Sequence, residues 1–207
     1  MSTIQKFAAG LAVAATVAFS GASYAANSSA TLSVDNAFWL YSGDATGSDL
    51  QFVGSGSNWQ VPNSFTFDVK PGDYLYVMAY DAGQPHSFQG VFDTPNGALY
   101  TNAASWVAAN LTTIDFSNPV TPAVITGATF GPIGSDLPAT SGPWGNVVGN
   151  TQADWIWSTS PGSGDTMVLF RTTNVVAAAV PEPETYAMLL VGLAGLGIFA
   201  RRRKSAK

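Results

Sequence analysis

Six tryptophans are the side chains of this sequence best suited to binding another molecule, and they are Trp39, Trp59, Trp106, Trp144, Trp155 and Trp157. Sugar rings stack their C–H faces on aromatic rings, while neighbouring Asp and Asn side chains bond the hydroxyls. Trp59 and Trp144 lie among Gly, Ser, Asn and Pro, so we expect these two rings to be exposed. The pattern predicts a carbohydrate contact at Trp59, with Asn58 and Gln60 beside it.

Core packing is the alternative explanation for the same rings. Trp39 is expected in the core, together with either Trp155 or Trp157, because side chains alternate along a strand and only one of this pair should be buried. Each of the six rings, taken alone, also fits a packing position, and this alternative stays open.

Aspartates are the second set of chemically active side chains. Eleven of them lie between residues 26 and 180: Asp35, Asp44, Asp49, Asp68, Asp73, Asp81, Asp93, Asp115, Asp136, Asp154 and Asp165. Asp44, Asp49, Asp81 and Asp93 are expected to form turns through side-chain to backbone hydrogen bonds. Their carboxylate oxygens are also suitable ligands for a structural calcium ion, although no calcium-loop motif is present. A pair of aspartates could instead hydrolyse a glycosidic bond.

Other kinds of chemistry are excluded by composition. There is no cysteine, so disulfides, thiol nucleophiles and cysteine-based zinc sites are absent. His86 is the only histidine and is expected in a surface loop, without a catalytic or metal role. Residues 26–180 hold eleven aspartates against only two cations, Lys70 and Arg171. A field of that sign repels phosphate backbones, so no nucleic acid is expected as a partner, and Arg171 is expected to pair with an aspartate.

Short strands are expected to position these side chains. Brief β-branched and aromatic stretches alternate with Gly, Pro, Asn, Asp and Ser at 31–34, 37–42, 51–53, 64–69, 74–80, 87–92, 121–126, 155–158 and 167–172. Residues 70–73 are predicted to form a type II turn between two of these strands, and 110–150 a long loop or extra hairpins. The pattern predicts an all-β fold, a β-sandwich over residues 26–179.

The first 25 residues have the layout of a secretory signal. Lys6 precedes an apolar run over 7–19, and small residues at Ser23 and Ala25 suit cleavage before Ala26. Residues 1–25 are therefore predicted to be a signal helix that uses the Sec translocon and signal peptidase.

The C-terminal end of the chain has the features of a second targeting segment. A Pro-Glu-Pro triplet precedes an apolar stretch at about 185–200, and a basic tail follows over 201–207. Sixteen helical residues span about 24 Å, which is short for a hydrocarbon core of about 30 Å. We predict a short transmembrane helix whose basic end stays in the cytoplasm, so that the aspartate-rich body lies outside.

Residues 180–204 resemble the PEP-CTERM sorting signal of Gram-negative bacteria. The resemblance rests on three groups of residues: the processing segment Val180, Pro181, Glu182 and Pro183; the apolar positions Ala187, Leu189, Leu190, Gly192, Leu193 and Gly197; and the cytoplasmic stop Arg201, Arg202, Arg203 and Lys204. It implies transient membrane insertion, cleavage near the triplet by the membrane protease exosortase, and release to the cell surface or an exopolysaccharide matrix. Glu184 departs from the serine that many members carry.

The body resembles galactose-binding-type jelly rolls more diffusely. The likeness lies in the Asp35-Asn36 entry to a strand, the later Trp59, the Lys70–Asp73 turn before a central strand, and a closing Trp155-Ile156-Trp157 segment. Ser42-Gly43-Asp44 stands where relatives often have an Asn-Gly turn. The resemblance implies a jelly-roll ectodomain.

Three functions follow as hypotheses. The first is a non-enzymatic exported protein, without a cofactor, that binds or organises exopolysaccharide in a biofilm matrix. The second is an aspartate-dependent glycan hydrolase of that matrix. The third is a purely structural protein without a ligand.

Overall fold

The computed structural model describes residues 26–112, 115–159 and 166–178, together with residues 190, 192 and 193. The described residues between 26 and 178 belong to one compact unit. The described part of the body contains eleven strands and one short helix: β1 (Ala26–Asp35), β2 (Ala37–Gly43), β3 (Gln51–Gly56), β4 (Asn63–Val69), β5 (Tyr74–Asp81), β6 (Ser87–Thr94), β7 (Gly97–Tyr100), β8 (Trp106–Leu111), α1 (Pro122–Gly127), β9 (Gly131–Leu137), β10 (Trp155–Ser158) and β11 (Thr166–Thr172). The predicted all-β class is confirmed.

The strands are antiparallel and run in the order β3-β2-β5-β11-β8-β9-β10-β6-β1-β4, with β7 beside β6. We call β4, β1, β6, β7 and β10 sheet A, and β3, β2, β5, β11 and β8 sheet B. Strand β9 pairs with both β8 and β10 and so joins the two sheets. The arrangement is compatible with the predicted jelly roll.

The main core is formed by the inner faces of the two sheets. Leu32 and Val34 of β1 and Leu40 of β2 pack there with Phe88 and Phe170, and all five are almost completely buried. Burial of such side chains contributes about 1.5–3 kcal/mol each. β5 lies between β2 and β11 and has apolar residues on both faces.

The turn between β4 and β5 has the predicted geometry. The Asp73 amide donates to the Lys70 carbonyl at 3.0 Å, and Gly72 has a φ of +94°. A type II turn needs a positive φ at its third residue, which glycine adopts without steric cost. On β4 itself, Phe65 and Phe67 are half-buried while Thr66 and Asp68 are exposed, so the apolar residues of this strand face the core and the polar ones face solvent.

The outer face of sheet B carries a second apolar cluster. Tyr76, Met78 and Leu169 point outward from the strands, and Ile125 of α1 packs over them with Val120. The prediction of a strand at 121–126 was wrong, because Thr121 caps a helix instead. Its hydroxyl accepts from the Val124 amide at 3.2 Å, and Pro122 occupies the first helical turn, where its missing N–H costs nothing.

Three strands were not predicted: β7, β8 and β9. The sequence 97–100 is short, and 131–137 contains two glycines and a proline, so neither has the usual strand composition. β9 therefore lies within the stretch 110–150 that was expected to be a long loop or extra hairpins. Its pairing with both sheets, rather than its own propensity, accounts for its conformation.

Candidate functional site

Trp59 and Trp144 lie together on the outside of sheet A. Their ring centroids are 4.6 Å apart with an angle of 38° between the ring planes. Trp144 in turn contacts Trp155, with centroids 5.2 Å apart at 63°. Trp59 and Trp144 are half-buried, whereas Trp155 is completely buried. We call these three rings the tryptophan stack.

The loop that carries Trp59 is fixed to sheet A by its backbone. Ser33 alternates with the core residues Leu32 and Val34, so its side chain points away from the core. The Ser33 hydroxyl donates to the Trp59 carbonyl at 2.5 Å. Within the loop, the Asn58 side-chain oxygen accepts from the Gln60 amide at 3.1 Å, which is an Asx turn.

The loop that carries Trp144 is fixed by a buried glutamine of β6. The Gln89 side-chain oxygen accepts from the amides of Val147 and Val148 at 3.0 and 3.2 Å. Its side-chain nitrogen donates to the Ala153 carbonyl at 2.8 Å. Because Gln89 is fully buried and all three bonds reach the loop, it ties residues 147–153 to the outer face of sheet A.

Trp155 closes the same loop from below. Its indole N–H donates to the Gly145 carbonyl at 2.6 Å, and the ring lies against Gly142. Trp144 thus lies between Trp155 and Trp59, and Trp59 is the outermost ring. Among the described residues, the only ring packed against Trp59 is Trp144. Trp59 remains partly exposed, so part of an anchored indole is available at the surface, where a sugar ring could stack on it.

The four tryptophans at 59, 144, 155 and 157 differ in burial or contacts from what was predicted. The two rings expected to be exposed, Trp59 and Trp144, are both half-buried and in contact with each other, which the sequence did not indicate. The expectation that only one of Trp155 and Trp157 is buried was wrong, since both are fully buried. Trp157 packs in the core and Trp155 lies under the 138–153 loop, so both are covered.

The remaining two tryptophans pack elsewhere. Trp106 is fully buried in the main core. Trp39 is only half-buried, on the outer face of sheet B, where its ring contacts the exposed Phe116 at 5.8 Å. The prediction of Trp39 as a core residue was therefore wrong, because odd positions of β2 face outward.

His86 is not the surface residue that was expected. Its side chain is only 14% exposed, and its ring stacks on Trp157 with centroids 5.2 Å apart. Its Nδ1 is 3.7 Å from the carboxylate of Asp81, which accepts in turn from the Gly83 amide. His86 thus closes one end of the core.

Most of the four aspartates that were predicted to form turns do so in the structure. Asp44 accepts from the amides of Thr46 and Ser48, and from both hydroxyls. The Ser48 hydroxyl bond, followed by those from Thr46, lowers the pKa of Asp44 to about 2. Asp49 accepts from the Asp44 amide. Asp93 was predicted wrongly, because it lies within β6 opposite Ala98.

Among the described residues, Asp73 is influenced by the charges of Asp49 and Asp44, and two further pairs of aspartates interact. Burial, and secondly the neighbouring charge of Asp136, raise the pKa of Asp154, whose carboxyl group shares a hydrogen bond with that of Asp136. Glycosidases separate their carboxyl groups by about 5–5.5 Å or about 6.5–9.5 Å, both wider than a direct hydrogen bond. In the other pair, burial and then Asp81 raise the pKa of Asp35 to about 6, but both residues are buried.

Metal and cation partners are limited in the described part of the chain. Within residues 26–112, 115–159 and 166–178, no group of three or more acidic or histidine side chains is placed to hold a metal ion. Arg171 does not have the expected aspartate partner there. Its guanidinium instead lies over the rings of Phe130 and Tyr74, at 4.3 and 5.1 Å from their centroids.

The predicted sorting residues lie mostly outside the described residues. These are the signal segment 1–25, Val180, Pro181, Glu182, Pro183, Leu189, Gly197, Arg201, Arg202, Arg203 and Lys204. Leu190, Gly192 and Leu193 are described and are helical, with Leu190 66% and Leu193 56% exposed. In the part of the chain that is described, no helix has the length and apolar character required to cross a membrane.

Comparison with known proteins identifies one segment. Residues 179–204 match the family model of the PEP-CTERM protein-sorting motif. No curated protein and no solved structure matches the chain. The motif confirms the predicted sorting signal and implies exosortase as the processing partner, with export to the cell surface or the extracellular space.

Proposed function

We propose that the body of this exported chain is a non-enzymatic carbohydrate-binding domain whose contact surface is the tryptophan stack. The observation that carries the proposal is the pairing of Trp59 and Trp144, half-buried at 4.6 Å on the outside of sheet A. An indole that is anchored on one face loses little conformational freedom when a ligand stacks on the other. Asn58 and Gln60, exposed on either side of Trp59, supply neutral hydrogen-bonding groups.

The proposed route follows from the two ends of the chain. The Sec translocon exports the protein, signal peptidase removes residues 1–25, and the segment at about 185–200 holds it in the inner membrane of a Gram-negative bacterium until exosortase cleaves near the triplet. A released carbohydrate-binding protein would then associate with exopolysaccharide in the biofilm matrix. The body has no cysteine, and a chain of this length can bury a core that needs no disulfides.

The test is binding to a panel of polysaccharides, with Trp59→Ala as the variant. We expect at least about tenfold weaker binding, because both stacking and buried apolar area are lost. Phe116→Ala is the matched control, since Phe116 is a 52% exposed aromatic residue in the loop between β8 and α1, in contact with Trp39 of sheet B. Equal weakening by both variants, or by neither, would reject the tryptophan stack as the binding surface.

Turnover by the same preparations tests the hydrolase alternative. The Asp136–Asp154 pair lies next to Trp155 and is the best candidate for such chemistry, because a raised pKa suits a proton donor. Release of reducing ends by the unmodified protein that disappears in folded Asp154→Asn would replace the binding proposal with an enzymatic one.

A further inference from the structure

Neutral hydrogen-bonding groups lie around the tryptophan stack. Thr31 and Ser64 share a hydroxyl hydrogen bond of 2.9 Å on the outer face of sheet A. The loop after Trp144 presents Asn146 and Asn150, and the loop of Trp59 presents Asn58. Amides and hydroxyls of this kind donate to and accept from sugar hydroxyls, but they provide no charge to balance a carboxylate, sulfate or phosphate.

The two cations of residues 26–180 are committed elsewhere. Lys70 follows the end of β4 that is remote from Trp59. The near end of β4 is Asn63, which pairs with Leu32. The next residue of β1, Ser33, binds the Trp59 carbonyl. Seven strand residues span about 23 Å, well beyond a Debye length of about 8–10 Å. Lys70 is also paired with Asp49 at 3.2 Å. Arg171 lies on sheet B over Phe130.

Acidic groups are closer to the stack than any of these cations. Asp154 directly precedes Trp155, and it contacts Asp136. Asp35 lies two residues beyond Ser33 on the same face of β1, which places it about 7 Å along the strand. An anionic ligand at Trp59 would therefore meet like charge, and neither of the two cations among the described residues lies close enough to compensate it.

We propose that the ligand of the tryptophan stack is an uncharged glycan, and that uronate, sulfated and phosphorylated polymers are discriminated against. This inference rests on the proposed function, because it specifies the ligand class of the same surface. Uncharged hexose rings satisfy both requirements of the site, an apolar face for Trp59 and hydroxyls for the amides around it.

The experiment compares neutral polysaccharides with charged derivatives of the same backbone, and the salt dependence separates the effect of charge from that of the added substituent. Neutral β-glucan, α-glucan, mannan and galactan are each paired with the carboxymethylated derivative of the same backbone, and affinities are measured at low and at physiological salt. We expect at least one neutral polymer to bind about tenfold or more tightly than its carboxymethylated form, with the difference shrinking as salt screens the acidic face. Tighter or equal binding of the charged form would overturn the inference while leaving carbohydrate binding in place.

Silence across the whole panel would instead reject the proposed function, and the inference with it. Val61→Lys provides a gain-of-function arm, because Val61 is 57% exposed two residues after Trp59 and a lysine there adds one cation while leaving the rings and the hydrogen-bonding side chains unchanged. We expect this variant to bind the carboxymethylated polymer several-fold more tightly than the unmodified protein does, and the neutral form about equally. No gain for the charged polymer would show that charge does not set the selectivity, which also overturns the inference.

Discussion

The α-carbon of Gly142 lies directly against the indole of Trp155. A methyl group added at Gly142 would clash with the Cδ1 atom of the ring. Contacts below 3.0 Å require a displacement, and here the neighbour is a buried ring whose N–H is held by the Gly145 carbonyl. The loop that presents Trp144 can therefore approach Trp155 only because residue 142 has no side chain.

Gly142→Ala is expected to destabilise the fold by about 1–3 kcal/mol, the usual cost of overpacking a site that cannot expand. It should also weaken glycan binding, since the loop and Trp144 must shift. Chemical denaturation measures the first effect. Gly131→Ala is the control, because a methyl group there meets nothing within 4 Å. Equal stability of the two variants would contradict the close packing of the loop on Trp155.

Gln89→Leu is expected to release the loop over residues 147–153. The substitution leaves the amides of Val147 and Val148 and the carbonyl of Ala153 without their partner. Each buried group left unpaired costs about 1–3 kcal/mol. Amide hydrogen exchange should accelerate at Val147 and Val148 but not in β5, whereas Gln51→Leu on the exposed edge strand should alter neither. Unchanged protection in Gln89→Leu would exclude this side chain as the anchor.

Stability is expected to fall as pH rises from about 4 to about 6, because of Asp35. Its pKa is raised from 3.8 to about 6 in the folded protein, chiefly by burial and then by Asp81. Between these values the folded state binds more protons than the unfolded state, so unfolding becomes easier as the pH increases. The stabilisation is fully present below about 3.8 and lost above about 6.

Asp35→Asn removes the titration and keeps an oxygen that accepts from the Asn36 side chain. We expect the Tm of the variant to vary less across that pH range, so that the variant gains on the unmodified protein towards neutral pH. Thermal unfolding at pH 4, 5, 6 and 7 provides the measurement. Parallel Tm curves for the two proteins would show that Asp35 does not account for the dependence.

Replacing both Pro181 and Pro183 by alanine is expected to leave uncleaved protein in the membrane fraction. The two prolines limit upward extension of a helix and favour an extended backbone that a protease can reach. Fractionation with detection of both ends of the chain measures processing. Pro95→Ala, in the exposed turn between β6 and β7, is the control. Normal release of the double variant would refute a role for the prolines in cleavage.

Local patterns predicted the strands that carry their own signal. The alternation of Phe65 and Phe67 with polar residues, and the Pro71-Gly72 turn, depend only on neighbours in the chain. Residues 121–126 were misassigned because β-branched residues outweighed the capping signal of Thr121 and Pro122. β9 could not be predicted, since its conformation comes from two partners distant in sequence.

The sequence predicted single residues of the candidate site but not the contacts between them. Trp59, Trp144 and Asn58 were chosen from loop composition, but nothing in the sequence places Trp59 against Trp144. No local signal indicates the role of Gln89 either. A glutamine that lies between two phenylalanines of a predicted strand is normally expected to face solvent. Burial of both Trp155 and Trp157 likewise depends on a loop folding over the sheet.

The sequence by itself determined the destination of this protein and its all-β class. A sorting motif is read as a linear segment, and strand alternation is a property of consecutive residues, so neither needs distant contacts. Only the tertiary structure decided which tryptophans meet, which are buried and where the two cations lie relative to them. Those relationships join residues far apart in the chain, and their energies arise from packing and hydrogen bonds that exist only once the two sheets and the 138–153 loop have assembled.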